Sequence, residues 1–174
     1  MVLHVSADNC TDEVTTLLAF LEEQRKGIRN ALGGLTDEQA ATTPSASELS
    51  LSGLLKHVTE VEQNWLALAG CDIPPVERTE ADWNESFRLI PEKGETVESK
   101  LAQWAEVAAK GAEFSRSADL NSTFSLPEAP WFPKEDVSLR WVLLRLITEM
   151  GRHAGHADII RESLDGKNSY ELGE

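Results

Sequence analysis

The chain has 174 residues, and 16 Lys and Arg against 30 Asp and Glu leave a formal charge of −14 at pH 7. That balance disfavours nucleic acid and anionic membrane surfaces as partners, because both are met by a surplus of cations that displace counterions. Hydrophobic residues at 41% and charged ones at 26% allow a core without disulfides or a structural metal.

Cys10 and Cys71 are far apart and form no C-x-x-C pair, as expected of a reduced chain. Met1 to Asp12 lacks a basic and apolar leader pattern, and no apolar run approaches the ~18 residues of a membrane span. The expectation is a soluble, cytoplasmic chain folded as one domain over residues 1–174, with its core at about 11–166.

Four stretches carry helical spacing. In the first, Val14, Leu17, Leu18, Leu21, Ile28 and Leu32 form a stripe, with Asn9 as the expected cap and Gly33-Gly34 as the stop. Glu22, Glu23, Arg25, Lys26 and Arg29 are assigned to its outer face. The second begins at Ser50 and runs through Leu51, Leu54, Leu55, Val58, Val61, Trp65 and Leu68 to Gly70. The third spans about Thr96 to Ser117, with Val97, Leu101, Trp104, Ala108 and Gly111 on one side. The last opens after Ser138 and carries Leu139, Val142, Leu143, Leu146, Met150, Ala157, Ile160 and Leu164 before Asp165-Gly166.

Four such helices are most economically packed as an all-α four-helix bundle. Two connections, Cys71 to Gly94 and Asp119 to Val137, are long and rich in Pro and polar residues. Connections of that length are often functional walls or lids. The second carries Pro127, Pro130, Trp131, Phe132 and Pro133, a candidate apolar wall over one end of the bundle, or a plug that merely covers the core.

The histidines carry the chemistry. At about 100° per residue, His153 falls within the apolar stripe of the last helix, where packing alone would ask for Leu or Ile. Glu149 lies one turn earlier and about 40° away, so the two project from neighbouring points and can chelate one ion. His57 sits at the edge of the second stripe, beside Leu54 and Val61.

If the second and fourth helices face each other, His57, Glu149 and His153 converge. One carboxylate and two imidazoles suit Zn²⁺, Ni²⁺, Fe²⁺ or Mn²⁺ and leave coordination positions open. The bland alternative is a hydrogen-bonded core histidine, with Glu149 paired to Arg145 or Arg152. His156, about 60° from His153, could replace Glu149 as ligand; we place it outside the ligand set, as a supporting or substrate-side group. Arg145 flanks Glu149 and could receive an anionic group of a ligand, although a plain ion pair is the commoner use. Asp158 is expected to pair with Arg161.

The string from Leu51 to Trp65 (LSGLLKHVTEVEQNW), followed by that from Ser138 to Gly166 (SLRWVLLRLITEMGRHAGHADIIRESLDG), resembles the DinB/YfiT-like superfamily, and within it the mycothiol-transferase-like branch. The similarity runs from Glu13 to Gly166. It implies an up-down-down-up bundle with a divalent metal, zinc or nickel foremost, held by His57, Glu149 and His153. It also implies a low-molecular-weight thiol such as mycothiol as cosubstrate, for which Arg145 and His156, by their position on the last helix, are the candidate cosubstrate-side residues. A small electrophile would be the other reactant, and a homodimer the assembly.

Arg145 stands where relatives often have histidine, and the long loops carry no recognised substrate signature. The leading expectation is a metal-dependent thiol S-transferase or isomerase. The alternatives are a metallohydrolase, in which water takes the thiol's place, and a non-catalytic bundle that binds metal or a small molecule.

Overall fold

Each long helix starts where a side chain accepts one of the free N–H groups of the first turn. The computed structural model describes residues 4–77, 85–130 and 132–173. Helix α1 (Glu13–Leu32) is capped by Asp12, whose Oδ1 accepts the Thr15 N–H at 2.8 Å. The expected cap, Asn9, instead ends a 3₁₀ turn over Ala7–Asn9. Asp12 prevails because its other oxygen also accepts the Thr15 hydroxyl, at 2.7 Å.

A one-turn helix α2 (Asp37–Ala40) follows, closed by a Thr36–Gln39 capping box. Ser50 caps α3 (Leu51–Leu68), Thr96 caps α4 (Val97–Ser117) and Ser138 caps α5 (Leu139–Asp165), as the sequence predicts. Two short strands, β1 (Thr123–Phe124) and β2 (Val137–Ser138), pair antiparallel ahead of α5, and α6 (Ser169–Leu172) ends the fold.

Side-chain pairs fix the helix directions. Arg140 meets Glu13, the Cβ position of Gly27 lies 3.5 Å from Ala154, and Arg161 reaches Ala31, so α1 and α5 run parallel. Glu62 meets Trp104, and Leu66 abuts Gly111, so α3 and α4 are also parallel. His57 meets Glu149 while Trp65 meets Trp141, which makes α3 antiparallel to α5. The bundle is therefore up-down-down-up, the all-α DinB-like architecture. Among the described residues no helix is long and apolar enough to cross a membrane.

The core is built from the expected stripes, with Leu21, Ile28, Leu54, Leu55, Val58, Trp104, Leu146 and Met150 fully or almost fully buried. Two further expectations fail. Arg25 does not face solvent: it is buried, and its guanidinium meets Glu62, which also accepts the Trp104 indole N–H at 2.7 Å. Helix α3 lies between α4 and α5 and touches α1 across the bundle, so its polar side is enclosed too. The ionisable groups there are paired rather than hydrated.

Asp158 does not pair with Arg161 either. Its carboxylate accepts the Ser169 N–H at the start of α6, at 2.8 Å. Arg161 binds Asp165 and donates to the carbonyls of Ala31 and Gly33, both at 2.8 Å. That satisfies acceptors left open at the end of α1.

Candidate metal centre

The apolar phase of α5 carries Glu149 and His153 inward, leaving them 8% and 7% exposed. One turn apart, they lean on each other, with His153 Nε2 3.2 Å from Glu149 Oε1. His57 arrives from α3, and its Nε2 lies 3.4 Å from the same oxygen. One ligand atom from each of the three residues lies within 4.8 Å of the others.

This donor set, one carboxylate oxygen and two imidazole nitrogens on separate rods, fits a divalent transition ion. Hydrogen bonding to His153 and then to His57 outweighs burial and, with Arg145 adding to it, holds the Glu149 carboxyl far below the usual carboxylate range. Glu149 is thus the anionic member of the group.

The side chains around the three are ordered by their contacts. Arg145 Nη1 holds the other Glu149 oxygen, Oε2, at 2.6 Å, so Oε1 alone faces the imidazoles. His156 stands behind His153, Nδ1 to Nδ1 at 3.3 Å. Burial first, and then the proximity of His153 and Arg152, pushes its imidazole below the ordinary value. The two α5 residues expected on the substrate side therefore both contact members of the trio.

Phe87 had no signal in the sequence as a site residue, because it lies in the connection between α3 and α4. Its ring stacks on His57 at 4.3 Å with an interplanar angle of 19°. The available clue was Gly53, a glycine inside an otherwise apolar helical stripe, which marks a close backbone approach. The Phe87 carbonyl occupies the place where a Cβ of Gly53 would be.

A cavity of about 440 Å³ opens beside His57, lined on α3 by Val61, Asn64, Trp65 and Leu68 and by Val76, Phe87 and Phe132 from the loops. Phe132 meets Trp65 edge to face at 5.4 Å, so the second loop does supply an apolar wall. Trp131, expected in that wall, lies outside the described residues.

A family model described as Mycothiol-S-transferase matches residues 16–166. Among solved structures, the chain is similar to the crystal structure of a "conserved protein of locus from Enterococcus faecalis", at 19% identity and a TM-score of 0.61, covering 91% of this chain and 100% of that one. At that identity the likeness bears on the fold alone. No curated protein matches.

Proposed function

The chain belongs to the mycothiol-S-transferase family, and on that premise we propose that it is a metal-dependent thiol S-transferase whose ion, zinc or nickel, is held by His57, Glu149 and His153. The observation that carries the proposal is the meeting of those three ligand atoms, within 4.8 Å of one another, with His57 also lining the apolar cavity. When bound, the ion would supply positive charge that keeps a thiol deprotonated at neutral pH.

The chain's own residues do the rest. Glu149 offers a negative charge through Oε1, while Arg145 retains Oε2 and so keeps the carboxylate from turning. His57 and His153 would donate nitrogen lone pairs to the ion. The stack of Phe87 on His57 fixes that ring and keeps water from one of its faces. Val61, Trp65, Leu68 and Phe132 hold the apolar body of a small electrophile beside the reacting sulfur. The thiol's proton would pass to solvent as the thiolate forms, and a carbon–sulfur bond would then form as the leaving group departs with its electron pair. We assign the thiol to the mycothiol class and the assembly to a homodimer, as the family resemblance implies, and the location to the cytoplasm, as two widely separated cysteines in no C-x-x-C pair suggest.

The test is to measure bound zinc and nickel in the purified protein, then follow mycothiol consumption with a fluorogenic alkylating probe. His153→Ala should lose the ion, whereas His156→Ala should still bind one equivalent at saturating metal. Metal occupancy without thiol consumption would reject the transferase while sparing the ligand set. Probe turnover that ignores added thiol would point to hydrolysis.

A further inference from the structure

Nδ1 of His156 lies 3.3 Å from Nδ1 of His153, while Nε2 of His153 lies 3.2 Å from Glu149 Oε1. The two ring nitrogens of His153 therefore have separate assignments, one toward the trio and one toward His156. A neutral imidazole carries one N–H and one lone pair, and the partner of one nitrogen decides what the other can do. Two Nδ1 atoms at hydrogen-bond distance hold one proton between them, since two protons would repel and none would leave no bond.

We infer that His156 is a positioning residue: its Nδ1 accepts the proton of His153 Nδ1 and so presents the lone pair of His153 Nε2 to the ion shared with Glu149 and His57. The inference rests on the ligand set proposed above. In that arrangement His156 carries its own proton on Nε2, so both rings are neutral and the exchange of tautomers creates no charge.

Geometry separates this role from that of a fourth ligand. His156 contacts the nitrogen of His153 that faces away from Glu149 Oε1, and it does not belong to the group of mutually close ligand atoms. The spacing is set by the helix. Glu149 and His153 are one turn apart and share a face, whereas His156, about 60° further round, arrives behind the His153 ring. Its edge-to-face approach, with centroids 5.3 Å apart and an interplanar angle of 69°, suits a nitrogen-to-nitrogen bond rather than a stack. Partners of this kind fix the orientation of a metal-bound histidine, and their loss typically weakens metal binding about 10–100-fold.

The experiment uses the full chain, zinc as the probe and two variants. His156→Leu removes the acceptor, and His156→Asn offers a carbonyl oxygen near the position of Nδ1. Zinc affinity is measured by competition with a chromophoric chelator, and the imidazole N–H protons of the zinc-loaded protein are followed by NMR. We expect the wild type to show a His153 Nδ1 proton protected from exchange. His156→Leu should lose that protection and bind zinc about 10–100-fold more weakly while still reaching one equivalent, and His156→Asn should restore most of both.

Unchanged affinity and protection in His156→Leu would overturn the role of His156 while leaving the ligand set standing. Failure of the wild type to take up zinc would overturn the ligand set itself, and the role of His156 with it. Melting curves of the three proteins identify a variant that is merely unfolded.

Discussion

Replacing Gly53 by alanine asks how firmly the loop carrying Phe87 is fastened to α3. A Cβ at position 53 would stand 2.0 Å from the Phe87 carbonyl oxygen, 2.7 Å from its carbon and 3.0 Å from Ser50 Oγ. Ordinary contact begins at 3.4 Å, so the Phe87 backbone has to withdraw by about 1.4 Å, and a neighbouring backbone cannot swing aside as a long side chain can. Alanine is favoured over glycine in a helix by about 1 kcal/mol, and overpacking of this kind costs about 1–3 kcal/mol.

The expected result is a net loss near 1 kcal/mol, which lowers the melting temperature by roughly 2–4 °C for a chain of this size. The larger effect falls on the site, because the 4.3 Å stack of Phe87 on His57 is carried by the same backbone. Misplacement by about 1 Å can reduce catalytic rates about 100-fold, and we expect a fall of at least about tenfold in thiol consumption. Gly155→Ala is the control: nothing lies within 4 Å of its added Cβ, so it should gain about 1 kcal/mol from helix propensity alone. Thermal melts followed by circular dichroism, together with the thiol assay, decide the matter. If Gly53→Ala is stabilised as much as Gly155→Ala and keeps its activity, the loop is not pinned at Phe87 and the reasoning fails.

Two further outcomes concern the charges beneath the site. Arg25→Met leaves the fully buried Glu62 with the Trp104 indole but without its cation, and should cost about 3–5 kcal/mol by denaturant melts. The double variant Arg25→Met/Glu62→Leu should recover most of that, and no recovery would refute the assignment of the loss to an uncompensated charge. For Glu95, burial alone would raise the carboxyl, but Lys56, the Ile90 N–H and Lys100 together hold it below its ordinary value. A depressed value means that the stabilisation is complete above the unfolded carboxylate range, about pH 4.3, and is lost as pH falls through the lower folded value. Glu95→Gln should therefore flatten the acid limb of stability against pH, and an acid limb identical to the wild type would count against the Lys56–Glu95–Lys100 cluster.

How much of this was legible depends on whether the information is local. Ser50, Thr96 and Ser138 mark helix starts because a side-chain oxygen next to an apolar stripe has one obvious use. Gly166 marks the stop of α5 because it adopts a positive φ, 78°. The phase of Glu149 and His153 is also local, fixed by helical geometry. His57 needed one added assumption, that α3 faces α5, and the structure brings its Nε2 to the shared Glu149 oxygen.

What escaped the sequence reading was set by contacts between elements. Arg25 sits among charged neighbours on α1, and only the arrival of Glu62 and Trp104 turns its position into an interior one. Asp158 and Arg161 stand three apart and invite pairing, yet each finds a better partner on another segment or on the next turn.

The topology then explains why a loop residue reaches the candidate centre at all. Parallel α3 and α4 require the chain to travel back along the full helix, about 27 Å for the 18 residues of α3. The long connection is thus a condition of the fold before it is a feature of any site. Among its described residues, Phe87 returns beside α3, where Gly53 admits the backbone and the Phe87 ring reaches His57. The connection from α4 to α5 crosses near the far end of α3 and brings Phe132 to Trp65. Both crossings flank the same side of α3, and the space they enclose opens on His57. A cavity beside the trio therefore follows from a bundle in which α1 and α5 run together and α3 and α4 run together, whatever substrate the loop side chains have come to select.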